Sequence, residues 1–188
     1  AIGPAGQRFR MAITPYYARL MDRNDPHCPI RLQAIPTMAE LEVSPGEMTD
    51  PLDEEGHLIA PSLTHRYPDR ALLYTNHNCA MYCRFCTRKR KVSDPTSATS
   101  HSDLEEALAA IRDTPAIQDV IISGGDALSL STERLGAILE ALARIPHVAI
   151  ARIGTRNLVT LPQRVDASLC DMLRSAQTRH LAVYVMTH

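Results

Sequence analysis

Beyond Arg70 the chain alternates short apolar runs with longer stretches whose apolar residues recur every three or four positions. ALLYTN (71–76), DVIIS (119–123), HVAIARI (147–153) and HLAVYVMTH (180–188) have the length and content of strands. Between them, SDLEEALAAIRD sets Leu104, Ala107, Leu108 and Ile111 on one helical face. The segment from Ser131 to Arg144 does the same with Leu135, Ile138, Leu139 and Leu142, and ASLCDMLRSA is a third helix. Ser102 followed by Glu105 predicts a capping box at the start of the first of these helices. Strands separated by amphipathic helices predict an α/β fold with a parallel sheet and right-handed crossovers, in which ligands gather at the carboxyl ends of the strands. The first 69 residues lack this period. They are rich in proline and acidic turn residues (DRNDPHCP, SPGEMTDPLDEEG), with one short helical candidate, PYYARLM. The chain thus divides into an irregular N-terminal extension, 1–69, that wraps a core, 70–188.

Composition narrows the function classes. Of 188 residues 45% are hydrophobic and 22% charged, and the net charge of -1 disfavours a general nucleic-acid or anionic-membrane surface. No apolar run approaches a membrane span or a signal peptide, so a cytoplasmic location is expected. Three of the five cysteines crowd into one loop, which is not a secreted disulfide framework and points to metal or redox chemistry. Cys28 and Cys170 are expected to be packing residues. Only Lys89 and Lys91 are lysines among 20 basic residues, and both follow the cysteine loop.

That loop, NCAMYCRFCTRKR, holds Cys79, Cys83 and Cys86 as C-x3-C-x2-C. A structural zinc site wants four ligands, usually in paired C-x2-C knuckles, and iron-sulfur clusters too are commonly held by four cysteines. Three thiolates leave an open position where a substrate or cofactor binds. Two more motifs end at the same rim: Gly124-Gly125-Asp126 after the second strand, and Gly154-Thr155-Arg156 after the third. Glycines admit a close backbone, and an aspartate accepts from an ammonium. Arg88 carries a fork suited to a carboxylate, and Arg66 and Arg70, four apart, could clamp a phosphate. The Lys89-Arg90-Lys91 run is expected to be a solvated face.

The C-x3-C-x2-C loop after the first strand, with an aromatic residue before its last cysteine, resembles the signature of the radical S-adenosylmethionine enzymes. Taken with LTHRYPDR, SGGDAL, RIGTR and LPQR, and with AITPYYARLMD and CPIRLQA upstream, the chain is similar from about Ala12 to its last residue to the lysine 2,3-aminomutase family. The resemblance implies a partial (β/α) barrel of which about the first four strands are present. It implies a 4Fe-4S cluster on Cys79, Cys83 and Cys86, S-adenosylmethionine on its open iron, and pyridoxal 5'-phosphate. The radical made from S-adenosylmethionine would take a hydrogen from the β carbon of an amino acid, and the α-amino group would move there. By the same resemblance Gly124, Gly125 and Asp126 hold the methionine amino group, Phe85 lies beside the adenine, and Arg156 and His188 touch S-adenosylmethionine. Arg66, Tyr67 and Arg70 contact the pyridoxal phosphate, and Arg88 binds the substrate carboxylate. The expected partners are a small amino acid, L-lysine first with glutamate and arginine as alternatives, and an electron donor such as flavodoxin or ferredoxin. A homo-oligomer is expected of the complete protein. The chain is read as a fragment whose Schiff-base lysine lies beyond His188. The rival readings are a radical enzyme without pyridoxal phosphate and a zinc-stabilised interaction module.

Overall fold

The computed structural model describes residues 3–92 and 94–188. The extension is more ordered than its composition suggests. It carries three short helices, α1 (Gly3–Arg8), α2 (Pro15–Arg19) and α3 (Pro29–Leu32), a 3-10 turn at Met38–Leu41, and two strands, β1 (Leu58–Ala60) and β2 (Leu63–Tyr67). The expected PYYARLM helix is α2. Thr14 starts it by accepting from the Tyr17 N–H at 3.1 Å, with Pro15 supplying the helical φ of the first turn. The Thr14 hydroxyl also donates to the Thr160 carbonyl, tying this helix to the core.

The core adds β3 (Arg70–Asn76), β4 (Asp119–Gly124), β5 (Ile150–Gly154) and β6 (Ala182–Met186). Its helices are α4 (His101–Arg112), α5 (Thr132–Ala143), α6 (Asn157–Thr160) and α7 (Ala167–Ala176). All four expected strands and three expected helices are therefore present. Among the described residues the sheet has six strands in sequential order, the four expected ones and two more from the extension. β1, β2 and β3 pair antiparallel, and β3 through β6 are parallel. Alternation missed β1 because it has three residues, and β2 because its burial does not alternate along the strand. Ser62 turns between them with a φ of 61°, and Pro68-Asp69 closes the hairpin in which Tyr67 faces Arg70. The capping box also lies two residues earlier than expected: Ser100 accepts from the Asp103 N–H at 3.0 Å and Asp103 accepts from the Ser100 N–H at 2.9 Å.

The core lies between one face of the sheet and the long helices. Val120, Ile122, Ala151 and Ile153 are fully buried against Leu135, Ile138, Leu139 and Leu142 of α5 and Ala107 and Ile111 of α4. The alternate residues Ile121, Ser123, Ile150 and Arg152 are only half-buried on the other face. Sequential parallel order with helices on one face brings the carboxyl ends of β3 to β6 into one rim. Cys170, expected to pack, is exposed. Asp166 caps α7 and sets its phase so that Leu169 is buried and Cys170, 100° around the helix, faces out.

Candidate active site

The rim is built where the start of the cysteine loop crosses the end of β4. Gly124 has a φ of 118°, and a Cβ there would lie 2.5 Å from the Asn76 carbonyl oxygen. A Cβ on Gly125 would lie 2.3 Å from the Asn78 carbonyl oxygen. The two glycines thus admit this chain's own backbone. The Gly125 N–H donates to the Asn76 carbonyl at 2.6 Å and the Asp126 N–H to the Asn78 carbonyl at 2.8 Å. The buried Asn76 side chain completes the splice, accepting from the Asn78 N–H at 2.8 Å and donating to the Asp126 carbonyl at 3.0 Å. Asp126 ties β4 to the loop after β5, accepting from the Thr155 hydroxyl (2.6 Å), the Arg156 N–H (2.7 Å) and the Leu128 N–H (2.9 Å). Burial raises its carboxyl above the usual range, against these hydrogen bonds.

Cys79, Cys83 and Cys86 are all free and line one cavity of about 430 Å³ with Gly124, Asp126 and Arg156. Phe85 and His188 line it too, their ring centroids 5.3 Å apart. With 52% of its surface exposed, Phe85 is no core residue. The cysteines also border a second, basic cavity, reached by Arg8, Arg10, Arg84 and Lys89. Burial pushes the Cys79 and Cys86 thiols up, and the charge of neighbouring cysteines adds to it. Among the described residues no three His, Cys, Asp or Glu side chains close on a single ion. The buried Tyr74 hydroxyl has no hydrogen-bond partner among the described residues, and its own ionisation is opposed first by burial, with Arg88, Cys79 and Cys86 close enough to act on it.

The basic run is not a solvated face. Glu40 grips Arg84 through both oxygens and takes Lys89 at 2.9 Å. Arg90 meets Asp50 at 2.9 Å and Glu55 at 3.2 Å, and Lys91 meets Glu55 at 3.6 Å. Burial alone would raise the Glu40 carboxyl, but the Arg84 and Lys89 hydrogen bonds outweigh it and hold it at about 2. The acids come from the extension, so the run is a clasp. Backbone bonds reinforce it: Tyr82 N–H to the Ala12 carbonyl at 3.2 Å, and Arg84 N–H to the Gln33 carbonyl at 2.8 Å.

Arg88 is bound along one edge by Glu54, with Nε at 2.8 and 3.0 Å and Nη2 at 2.5 Å. Glu54 is only 6% exposed. The Nη1 side of the guanidinium has no protein acceptor among the described residues, so a second carboxylate can meet it there. Arg88 and Glu54 share a cavity of about 120 Å³ with Arg66, Tyr67 and Arg70, so the two expected anion-binding groups stand side by side. Arg66 donates to the Leu52 carbonyl at 2.7 Å. Arg70 is held at 2.8 Å by the buried Asp119, which Arg152 also grips. Asn76, Gln33, Glu54 and Asp119 escaped the sequence reading because single polar residues outside a motif carry no pattern.

No family model matches the chain. It is 46% identical over 182 residues to the L-lysine 2,3-aminomutase of Fusobacterium nucleatum, covering 97% of this chain and 42% of that protein. It is 47% identical over 180 residues to the L-lysine 2,3-aminomutase of Clostridium subterminale, covering 96% and 42%. The glutamate 2,3-aminomutase of Clostridioides difficile is 43% identical over 187 residues, covering 100% and 43%. The chain thus spans about two fifths of the length of these curated relatives. Along almost all of its own residues the chain is similar to these lysine and glutamate 2,3-aminomutases.

Proposed function

We propose that this chain is the radical-generating part of a 2,3-aminomutase, an isomerase that moves an α-amino group to the β carbon of an amino acid. The observation that carries the reading is the convergence of Cys79, Cys83 and Cys86 with Gly124, Asp126 and Arg156 on one cavity at the carboxyl ends of parallel strands. The sequential strand order, with helices on one face, supports a partial (β/α) barrel. Cys79, Cys83 and Cys86 would hold a 4Fe-4S cluster, which when loaded supplies the electron that makes the radical from S-adenosylmethionine. Gly124, Gly125 and Asp126 shape the methionine side of the cavity, and the exposed Phe85 ring offers a flat apolar face to the adenine.

Arg88, steered by Glu54, binds the substrate carboxylate through its free side, and Arg66, Tyr67 and Arg70 receive the phosphate of pyridoxal 5'-phosphate. Lys89 and Lys91 are both taken up in ion pairs with the extension. Neither is assigned to the pyridoxal cofactor, whose lysine we place in the part of the relatives' length that this chain does not span. Lysine is the preferred substrate, because relatives of that name include proteins of 46% and 47% identity. The glutamate enzyme at 43% makes glutamate the second reading.

The test is anaerobic reconstitution of the full-length protein with iron and sulfide, followed by electron paramagnetic resonance with and without S-adenosylmethionine. Each amino acid is then incubated with the enzyme and the product followed by proton NMR. A reduced-cluster signal that shifts with S-adenosylmethionine and is lost in Cys83→Ala, together with a β-amino product, is expected. Stoichiometric zinc in place of iron would overturn the reading.

A further inference from the structure

Arg156 was expected at the nucleoside. The structure gives its side chain other company. Nη1 lies 3.0 Å from the Cys83 sulfur, Nη2 lies 2.8 Å from the Gln33 side-chain oxygen, and Nε lies 3.3 Å from the His188 carbonyl. The guanidinium carbon stands 5.2 Å from the centre of the Phe85 ring. All three nitrogens are therefore engaged by this chain. The backbone beneath is fixed separately, since the Arg156 N–H donates to Asp126 at 2.7 Å. Gln33 is itself pinned, its carbonyl accepting from the Arg84 N–H at 2.8 Å inside the cysteine loop. A long, entropy-rich side chain is thus held by groups from three parts of the chain with one N–H aimed at a sulfur.

We propose that Arg156 is a positioning residue for the cysteine site, donating to the Cys83 sulfur and making the bound cluster easier to reduce. This rests on the cluster reading above. A cationic donor on a ligating sulfur stabilises the electron-rich state more than the oxidised one, so the hydrogen bond raises the reduction potential. Gln33 serves the same end by fixing the guanidinium, which gives the extension a part in tuning the site.

The test uses the full-length protein loaded with iron and sulfide, reduced stepwise with dithionite in the presence of mediators and without S-adenosylmethionine, and read by electron paramagnetic resonance. Arg156→Leu should make the cluster harder to reduce. At the wild-type midpoint the ratio of reduced to oxidised cluster falls about tenfold, which for one electron is about 59 mV. Arg156→Lys should recover part of the shift. Gln33→Leu should move the midpoint in the same direction by less, and it tests the idea even if Arg156→Leu fails to load. A contact with the nucleoside predicts a different result: unchanged potential with weaker S-adenosylmethionine binding by calorimetry. An unmoved potential in variants with intact clusters overturns this proposal alone, whereas wild-type protein that takes up no cluster overturns it together with the reading beneath it.

Discussion

At the scale of the residue, the most constrained position is a glycine that faces the chain itself. Gly125→Ala would force a Cβ to 2.3 Å from the Asn78 carbonyl, where only backbone can give way. A loss of about 1–3 kcal/mol is expected in urea unfolding, with less iron taken up by the full-length protein because the cysteine loop is pushed aside. Gly46→Ala meets nothing within 4 Å and should change stability by less than about 0.5 kcal/mol in the same experiment. The Glu54–Arg88 pair gives a second prediction. Both side chains are mostly buried, so Glu54→Ala strands a charge and should cost about 3–5 kcal/mol, read as a lower urea midpoint. The neutral, hydrogen-bonding Glu54→Gln should cost less.

At the scale of the element, α5 is the keystone of the core. Leu139 is fully buried between it and the sheet, and Leu139→Ala should cost about 2–5 kcal/mol in urea unfolding. The clasp between extension and cysteine loop should fail in acid. Glu40 has a folded-state value of about 2 against its ordinary 4.5, so its contribution is full above 4.5 and is lost as pH falls from there toward 2. Urea midpoints measured across that window should drop in the wild type and drop less in Glu40→Gln. The four parallel strands and three of the core helices, α4, α5 and α7, were legible in the sequence as apolar runs and helical periods, and their order placed the three polar motifs on one rim, whereas the four-residue α6 shows no period. β1, β2 and the clasp were not legible. Two strands of three and five residues carry no alternation, and the pairing of Glu40, Asp50, Glu54 and Glu55 with a basic run some 35 to 50 residues later is visible only once the chain has folded back. The site was half legible: the motifs named the cavity wall, but Gln33 and Asn76, which hold it, belong to no motif.

At the scale of the whole molecule, β6 is the last strand of the sheet, and Tyr184 and Val185 are exposed on it. An unpaired apolar edge invites another strand. The 188-residue chain taken alone should therefore associate with rising concentration in sedimentation, and Val185→Lys should suppress it. The extension has another consequence. It fastens the cysteine loop through backbone bonds at Tyr82 and Arg84, so the loop that carries the thiols is positioned by the chain's own hydrogen bonds. On the proposed function this gives assembly an order: the polypeptide would fold first and would receive iron and sulfide afterwards, as cargo delivered to a finished berth.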